Sequence, residues 1–341
     1  MNVLKVLMAG FLFFAVASPA WAVSDLLKEA RDNFKALPDK PVFKADNPGT
    51  VAKLKLGKAL YFETRLSKSN VFSCNSCHNL AGGGVDNNPF STGHKWNVGG
   101  RNAPTVWNAS LHIAQFWDGR AKDVEAQAQG PVLADVEMAA TKDIVLKRLG
   151  SIPEYVAMFA KAFPGAESLT YKNMADAIGA FERTLLTPSR FDSFLKGDES
   201  ALAANEKAGL EIFMDKGCSA CHEGVAVGGG MYAKFGVVNK PAFLKDEGRF
   251  AVTKEEDDKN VFKVPSLRNI EFTYPYFNDG SVWNLSEAVK IMGWTQLGEK
   301  LSAKEIGDIV AFLNSMTGTL PDITLPKLPA STPLTPKPDR S

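Results

Sequence analysis

All four cysteines of the chain lie in two pentapeptides, Cys74-Asn75-Ser76-Cys77-His78 and Cys218-Ser219-Ala220-Cys221-His222, which also take two of its four histidines. Two thiols a helical turn apart, with an imidazole directly behind them, form the attachment unit of a c-type haem. The thiols make thioethers with the vinyl groups, and the imidazole reaches the iron from the same side. Two CxxC pairs can also build a structural zinc site, but the histidine after each pair favours haem. A thioredoxin-like redox use lacks the βαβ pattern it needs. Cys74, Cys77, Cys218 and Cys221 are therefore the expected attachment points, and His78 and His222 the proximal ligands.

The sixth position of each iron decides what it can do. In an electron-transfer site a methionine usually closes it, and Met231, Met292 and Met316 follow His222. The pair Glu-Ala recurs at 125–126 and 287–288; Met292 stands five residues after Glu287, in a loop-like Met-Gly-Trp-Thr stretch, whereas Gly130-Pro131 stands at that distance from Glu125. Met292 is thus the expected second distal ligand, and the first iron lacks its counterpart. His94, in Gly93-His94-Lys95-Trp96, is a candidate detachable ligand for that first iron, against the plainer reading of a loop histidine bonded to its own loop. An iron that opens onto a small oxidant also needs an acid/base group. Asp135 and Glu137 are available; Glu137, beside Met138, is the one that burial would shift toward the useful range. Trp117 is either a packed aromatic or an electron path between the haems, and His112 has no special spacing.

These residues are carried by an internal repeat. Lys55-Leu56-Gly57-Lys58-Ala59-Leu60-Tyr61 matches Lys207-Ala208-Gly209-Leu210-Glu211-Ile212-Phe213, each within an amphipathic helical pattern ahead of a CxxCH unit. Pro104-Thr105-Val106-Trp107-Asn108 matches Pro265-Ser266-Leu267-Arg268-Asn269, and each proline is followed 14 residues later by Asp-Gly. Each half closes with a helix carrying Ala-Phe, opened by Thr170 or by the capping box Ser302-Ala303-Lys304-Glu305. The fold class expected is mostly α: two homologous class I cytochrome c-like domains, each with one covalently attached haem, joined by long loops near 79–103 and 223–264. The boundaries read as a leader at 1–22, a first domain at 23–187, a second at 188–318, and a proline-rich tail at 319–341, extended along the surface or disordered.

Lys5, the apolar run that follows it and Ala20-Trp21-Ala22 have the form of a secretory leader. The run is too short for a comfortable membrane span, so an exported protein that does not span the membrane is expected. Without the leader the chain carries 38 basic and 38 acidic residues, a balance that points to neither nucleic acid nor an anionic membrane as partner.

Taken together, Cys-Asn-Ser-Cys-His-Asn-Leu at 74–80, Gly93-His94, Arg101 to Thr105, Gln115 to Arg120, Gly130-Pro131, Val136-Glu137-Met138, the second CxxCH and Met292-Gly293 closely resemble the bacterial dihaem cytochrome c peroxidases. The resemblance implies a periplasmic enzyme that reduces hydrogen peroxide to water. Its electrons would come from a small periplasmic carrier such as a monohaem cytochrome c. It implies His94 as releasable ligand of a low-potential first haem and Met292 as ligand of a high-potential second one. Gln127 and Glu137 would lie in the peroxide pocket and Trp117 between the haems. It further implies a calcium ion at the domain interface, held by Asn102 and the carbonyls of Thr273 and Pro275, and a homodimer. Where many relatives have histidine after Pro-Tyr-Phe, this chain has Asn278, which touches the detail of haem-to-haem coupling. The competing readings are a non-catalytic dihaem electron-transfer cytochrome c, and the related enzyme that oxidises tryptophans on a partner protein, in which a tyrosine replaces the methionine ligand.

Overall fold

Two pairs of helices cross at glycine. In the computed structural model, which describes residues 23–165 and 167–341, Gly57 of helix Val51–Tyr61 lies against helix Tyr171–Glu182, where a Cβ would overlap the main-chain oxygen of Ala177. Gly209 of helix Ala204–Asp215 meets helix Ala303–Ser315 in the same way, at the main-chain oxygen of Asp308. This is the physical content of the repeated K-x-G-x-x-[LI]-[YF] motif: the close approach leaves no room for a side chain. The expected caps form. Thr170 Oγ1 accepts from Asn173 N at 3.0 Å, and Ser302 and Glu305 exchange bonds at 3.2 and 2.7 Å.

The repeat extends to backbone conformation. Gln115 bridges Ala121 and Tyr276 bridges Val282, so that each Asp-Gly sits in a tight antiparallel turn. Phe116 and Phe277 have φ of 68° and 69°, and Gly119 and Gly280 have 67° and 60°. Asn108 and Asn269 are left-handed at 61° and 58°, a conformation asparagine tolerates, and both donate their amides at 2.8 Å to the hydroxyl of buried Thr187. The two halves thus meet at the residue where the sequence places the seam.

Helices Val51–Tyr61, Lys142–Gly150, Pro153–Ala162 and Tyr171–Glu182 enclose a first core that includes Trp107, Phe159 and Ile178. Phe312 meets Phe191 and Phe213 edge-on in the second core, with Phe34 as a fourth ring edge-on to Phe191. Phe34 follows helix Asp25–Asn33, so residues 25–37, read above as part of the first domain, pack on the second core instead. Arg268 gives the reason. It is the repeat equivalent of Trp107 and is 1% exposed; a buried guanidinium needs an acid. Asp192 supplies one, bonded to Arg268 at 2.9 and 3.0 Å, and also accepts from Leu37 N at 2.7 Å.

Two further expectations change. The stretch 223–264 is not all loop: Tyr232–Lys234 pairs antiparallel with Val261–Lys263. Met292 ends helix Leu285–Met292 and is followed by a π-helical turn, Gly293–Leu297, rather than by loop. The tail from 319 is extended, as expected, and lies on the first domain. Ile323 and Leu328 pack against the first core. The leader expected at 1–22 falls outside the described residues. Among those described, no helix is long and apolar enough to cross a membrane.

Candidate active site

Each CxxCH unit opens onto its own cavity. Cys218, Cys221 and His222 line a cavity of about 250 Å³ together with Met292, Phe213, Ile309 and Leu313. Cys74, Cys77 and His78 line a roomier one of about 1020 Å³ together with Gln127, Pro131, Glu137 and Glu182. Burial is the main cause that pushes the Cys77 and Cys218 thiols up to about 11, and it holds the His222 imidazole down at about 4 and that of His78 below its ordinary value. Both rings are therefore neutral near pH 7, the form that binds a metal. The repeat's equivalent prolines, Pro104 and Pro265, bring main-chain groups to the two rings that oppose this shift.

The residues fit haem by an independent sign in the second cavity. Lys263 is 5% exposed; among the described residues no acid pairs with it, and its ammonium meets His112 Nδ1 at 3.4 Å. Burial lowers its ammonium to about 8. A buried cation without an anion is costly, and haem carries propionates that supply the missing charge. Sequence reasoning missed this pair: nothing in the spacing of Lys263 or of His112 marks either.

Glu137 lines the first cavity, half-buried, with its pKa raised by burial and opposed in part by the Arg120 guanidinium. Asp135 is exposed and does not line it. Gln127 reaches the same cavity from the last turn of helix Val124–Gln127. Met138 also lines it, but as a buried member of the first core. The place equivalent to Met292 is held by Gly130-Pro131.

Trp117 stands in the wall between the cavities and lines both, as do Asn102, Pro104 and Asn278. Its indole N–H donates to Asn102 O at 2.9 Å, and Phe262 meets it edge-on. Asn278 Nδ2 donates to Asp246 Oδ2 at 3.1 Å, and Asp246 takes both arms of Arg101. Asn102, Thr273 and Pro275 all line the second cavity. Their donors are neutral oxygens, and among the described residues no three His, Cys, Asp or Glu side chains gather as a metal site.

His94 is the exception. It is 4% exposed, yet it does not line the first cavity. Its Nε2 lies 3.3 Å from the main-chain oxygen of Ser341, and its buried Nδ1 has no partner among the described residues. Its loop is tied to the acid/base residue: His94 N donates to Glu137 O at 2.7 Å, and a Cβ on Gly93 would overlap the main chain of Val136 and Glu137.

Two helical cores, each with a CxxCH unit opening onto its own cavity, define a protein with two cytochrome c-like domains. Comparison with known sequences agrees. Residues 51–200 match the di-haem cytochrome c peroxidase family and residues 206–317 the cytochrome c family. The chain is 49% identical to cytochrome c551 peroxidase of Pseudomonas aeruginosa over 98% of both chains. It is 50% identical to the protein of that name from Nitrosomonas europaea over 88% of this chain and 90% of the other. Methylamine utilization protein MauG of Methylorubrum extorquens is more distant, at 36% over 83% of each. Among solved structures, a MauG-like protein associated with microbial copper homeostasis superposes with a TM-score of 0.74 at 28% identity, over 83% of this chain and 95% of the other. The chain belongs to the dihaem cytochrome c peroxidase family and is a haem peroxidase.

Proposed function

We propose that the protein reduces hydrogen peroxide in the periplasm, each peroxide taking two electrons and two protons to give two waters. The electrons come singly from a small carrier such as a monohaem cytochrome c. The observation that carries this reading is the meeting of Glu137 and Gln127 in the cavity of the first CxxCH unit, where no methionine stands at the place equivalent to Met292. Haem bound at Cys74 and Cys77 supplies the redox centre for O–O cleavage, and haem at Cys218 and Cys221 an electron store. Glu137 takes a proton from one peroxide oxygen and returns it to the other, a task its burial-raised pKa suits. Gln127 orients the oxygens through its amide. Trp117, in the shared wall, carries electrons from the second cavity to the first. Asn102 with the carbonyls of Thr273 and Pro275 holds calcium, its shell completed by water.

His94 would serve as the detachable ligand of a haem held at Cys74, Cys77 and His78, its loop free to move when the second domain is reduced. The non-catalytic electron carrier differs in that His94 would stay bound in every redox state. Peroxide turnover and spectra of the fully oxidised and half-reduced protein, with a His94→Gly variant alongside, test the gate. Wild type is expected to turn over only when half reduced, and the variant already when oxidised. Equal activity of wild type in both states would sink the gate, and no turnover in any state would sink the peroxidase reading.

A further inference from the structure

The segment after Gly318 leaves the second domain and crosses the first as a strap. Its six prolines deny it helical or sheet bonding, so its main chain is held by donors of the first domain. Lys58 Nζ donates to Thr324 O at 3.1 Å, Arg65 Nη2 to Pro329 O at 2.7 Å, and Arg148 Nη2 to Lys337 O at 3.0 Å. Thr332 Oγ1 donates to Ser151 O at 2.9 Å. Nearer its end, Asp339 N donates to Lys68 O at 3.0 Å, and the Lys68 ammonium pairs with the Asp339 carboxylate at 3.2 Å. Arg65 and Arg148 are buried, so their bonds to the strap are part of the packed structure rather than loose surface contacts. This path ends with Ser341 O at His94 Nε2, 3.3 Å away, and Lys68 Nζ lies 3.4 Å from the same oxygen.

We infer that the strap supplies the holding site for His94 when it is away from the first haem, a role that rests on His94 being the detachable ligand. A main-chain oxygen only accepts, so the ring presents its Nε2–H to Ser341. That nitrogen is then committed to the strap. The ring is buried and its Nδ1 already lacks a partner among the described residues. Without Ser341 the displaced imidazole would leave both nitrogens unsatisfied away from water, which disfavours the displaced position. The strap therefore sets the ratio of open to closed first haem through a residue that touches neither haem cavity.

The test uses half-reduced, haem-loaded protein, with the high-spin fraction of the first haem read by absorption and electron paramagnetic resonance. Deleting Pro338–Ser341, which keeps the Arg148 bond to Lys337, is expected to lower the ratio of high-spin to low-spin first haem about two- to ten-fold. A Lys68→Ala, Asp339→Ala double variant loosens the strap's end with the chain intact and is expected to fall between. In a His94→Gly background the deletion should change nothing. Wild type that opens while both variants open as fully overturns the strap's role and leaves the gate standing. Wild type that never becomes high-spin on half reduction overturns the gate and the strap with it. A deletion effect that persists without His94 also overturns the inference, because the strap would then act on the haem pocket directly.

Discussion

The two cavities are built on one scaffold and differ in a few side chains at matching places. Met292 lines the second; Gly130-Pro131 stands at the matching place in the first and brings no thioether there. Leu313 lines the second from its closing helix, and Glu182, two residues after Ala180 as Leu313 is after Ala311, lines the first. Gln127 and Glu137 face only the first, and buried Lys263 with His112 only the second. An apolar wall with one soft ligand keeps an iron six-coordinate and suits electron transfer; an open position with titratable groups around it suits proton-coupled chemistry. Duplication preserved the helix crossings and turns, and the functional division lies in the side chains that face each cavity.

The sharpest way to break this comparison is to remove the acid from the first cavity. Glu137→Gln is expected to lower kcat/KM for peroxide about 10²- to 10⁴-fold while leaving the second haem's spectrum unchanged. Asp135→Asn, an exposed neighbour outside the cavity, serves as the control and should move the rate by less than about two-fold. Because the carboxylate form takes the first proton, the wild-type rate should fall as pH drops through the raised Glu137 value. That acid limb should be missing in the glutamine variant. Equal rates for Glu137→Gln and wild type would remove Glu137 from the chemistry.

The shared scaffold gives the next largest effect. Gly57→Ala and Gly209→Ala each drive a methyl into the facing helix backbone, and overpacking a rigid crossing costs about 3 kcal/mol. Each variant should lower the denaturation midpoint of its own domain, read at its own haem band, and leave the other domain within about 0.5 kcal/mol. A tolerated alanine at one crossing only would show that the two halves no longer share their packing.

Those glycines, the caps at Thr170 and Ser302 and the Asp-Gly turns were legible in the sequence because each is a local rule applied twice. Glu137 was legible from its neighbour Met138, and Trp117 from the family pattern that surrounds it. What could not be read is long-range. Arg268 needs an acid that lies 76 residues away in the chain, and the bond from Asp192 to Leu37 then carries the first helix onto the second core. Lys263 faces a cavity that exists only after the strand pair and the first domain come together. The tail was expected to be extended, but no periodicity could reveal that its last residue meets His94.

The smallest of these effects turns on Glu182 against Leu313. Glu182 is 5% exposed and lines the first cavity. Burial, with the Glu125 charge adding to it and the Arg183 guanidinium opposing, raises its carboxyl to about 8. The folded protein therefore keeps this proton up to about pH 8, while the unfolded chain releases it near the ordinary glutamate value. Between those limits the folded state binds more protons, so stability is present in full below the unfolded value and is lost as pH rises through the folded one. Hydrogen exchange of helix Tyr171–Glu182 should show less protection at pH 8 than at pH 5. Helix Ala303–Ser315, with leucine at the matching place, is the internal reference and should show no such loss. Glu182→Gln cannot titrate and should flatten the first helix's profile to match the second. A slope that survives in the glutamine variant would assign the pH sensitivity to another group and remove Glu182 from the difference between the two cavities.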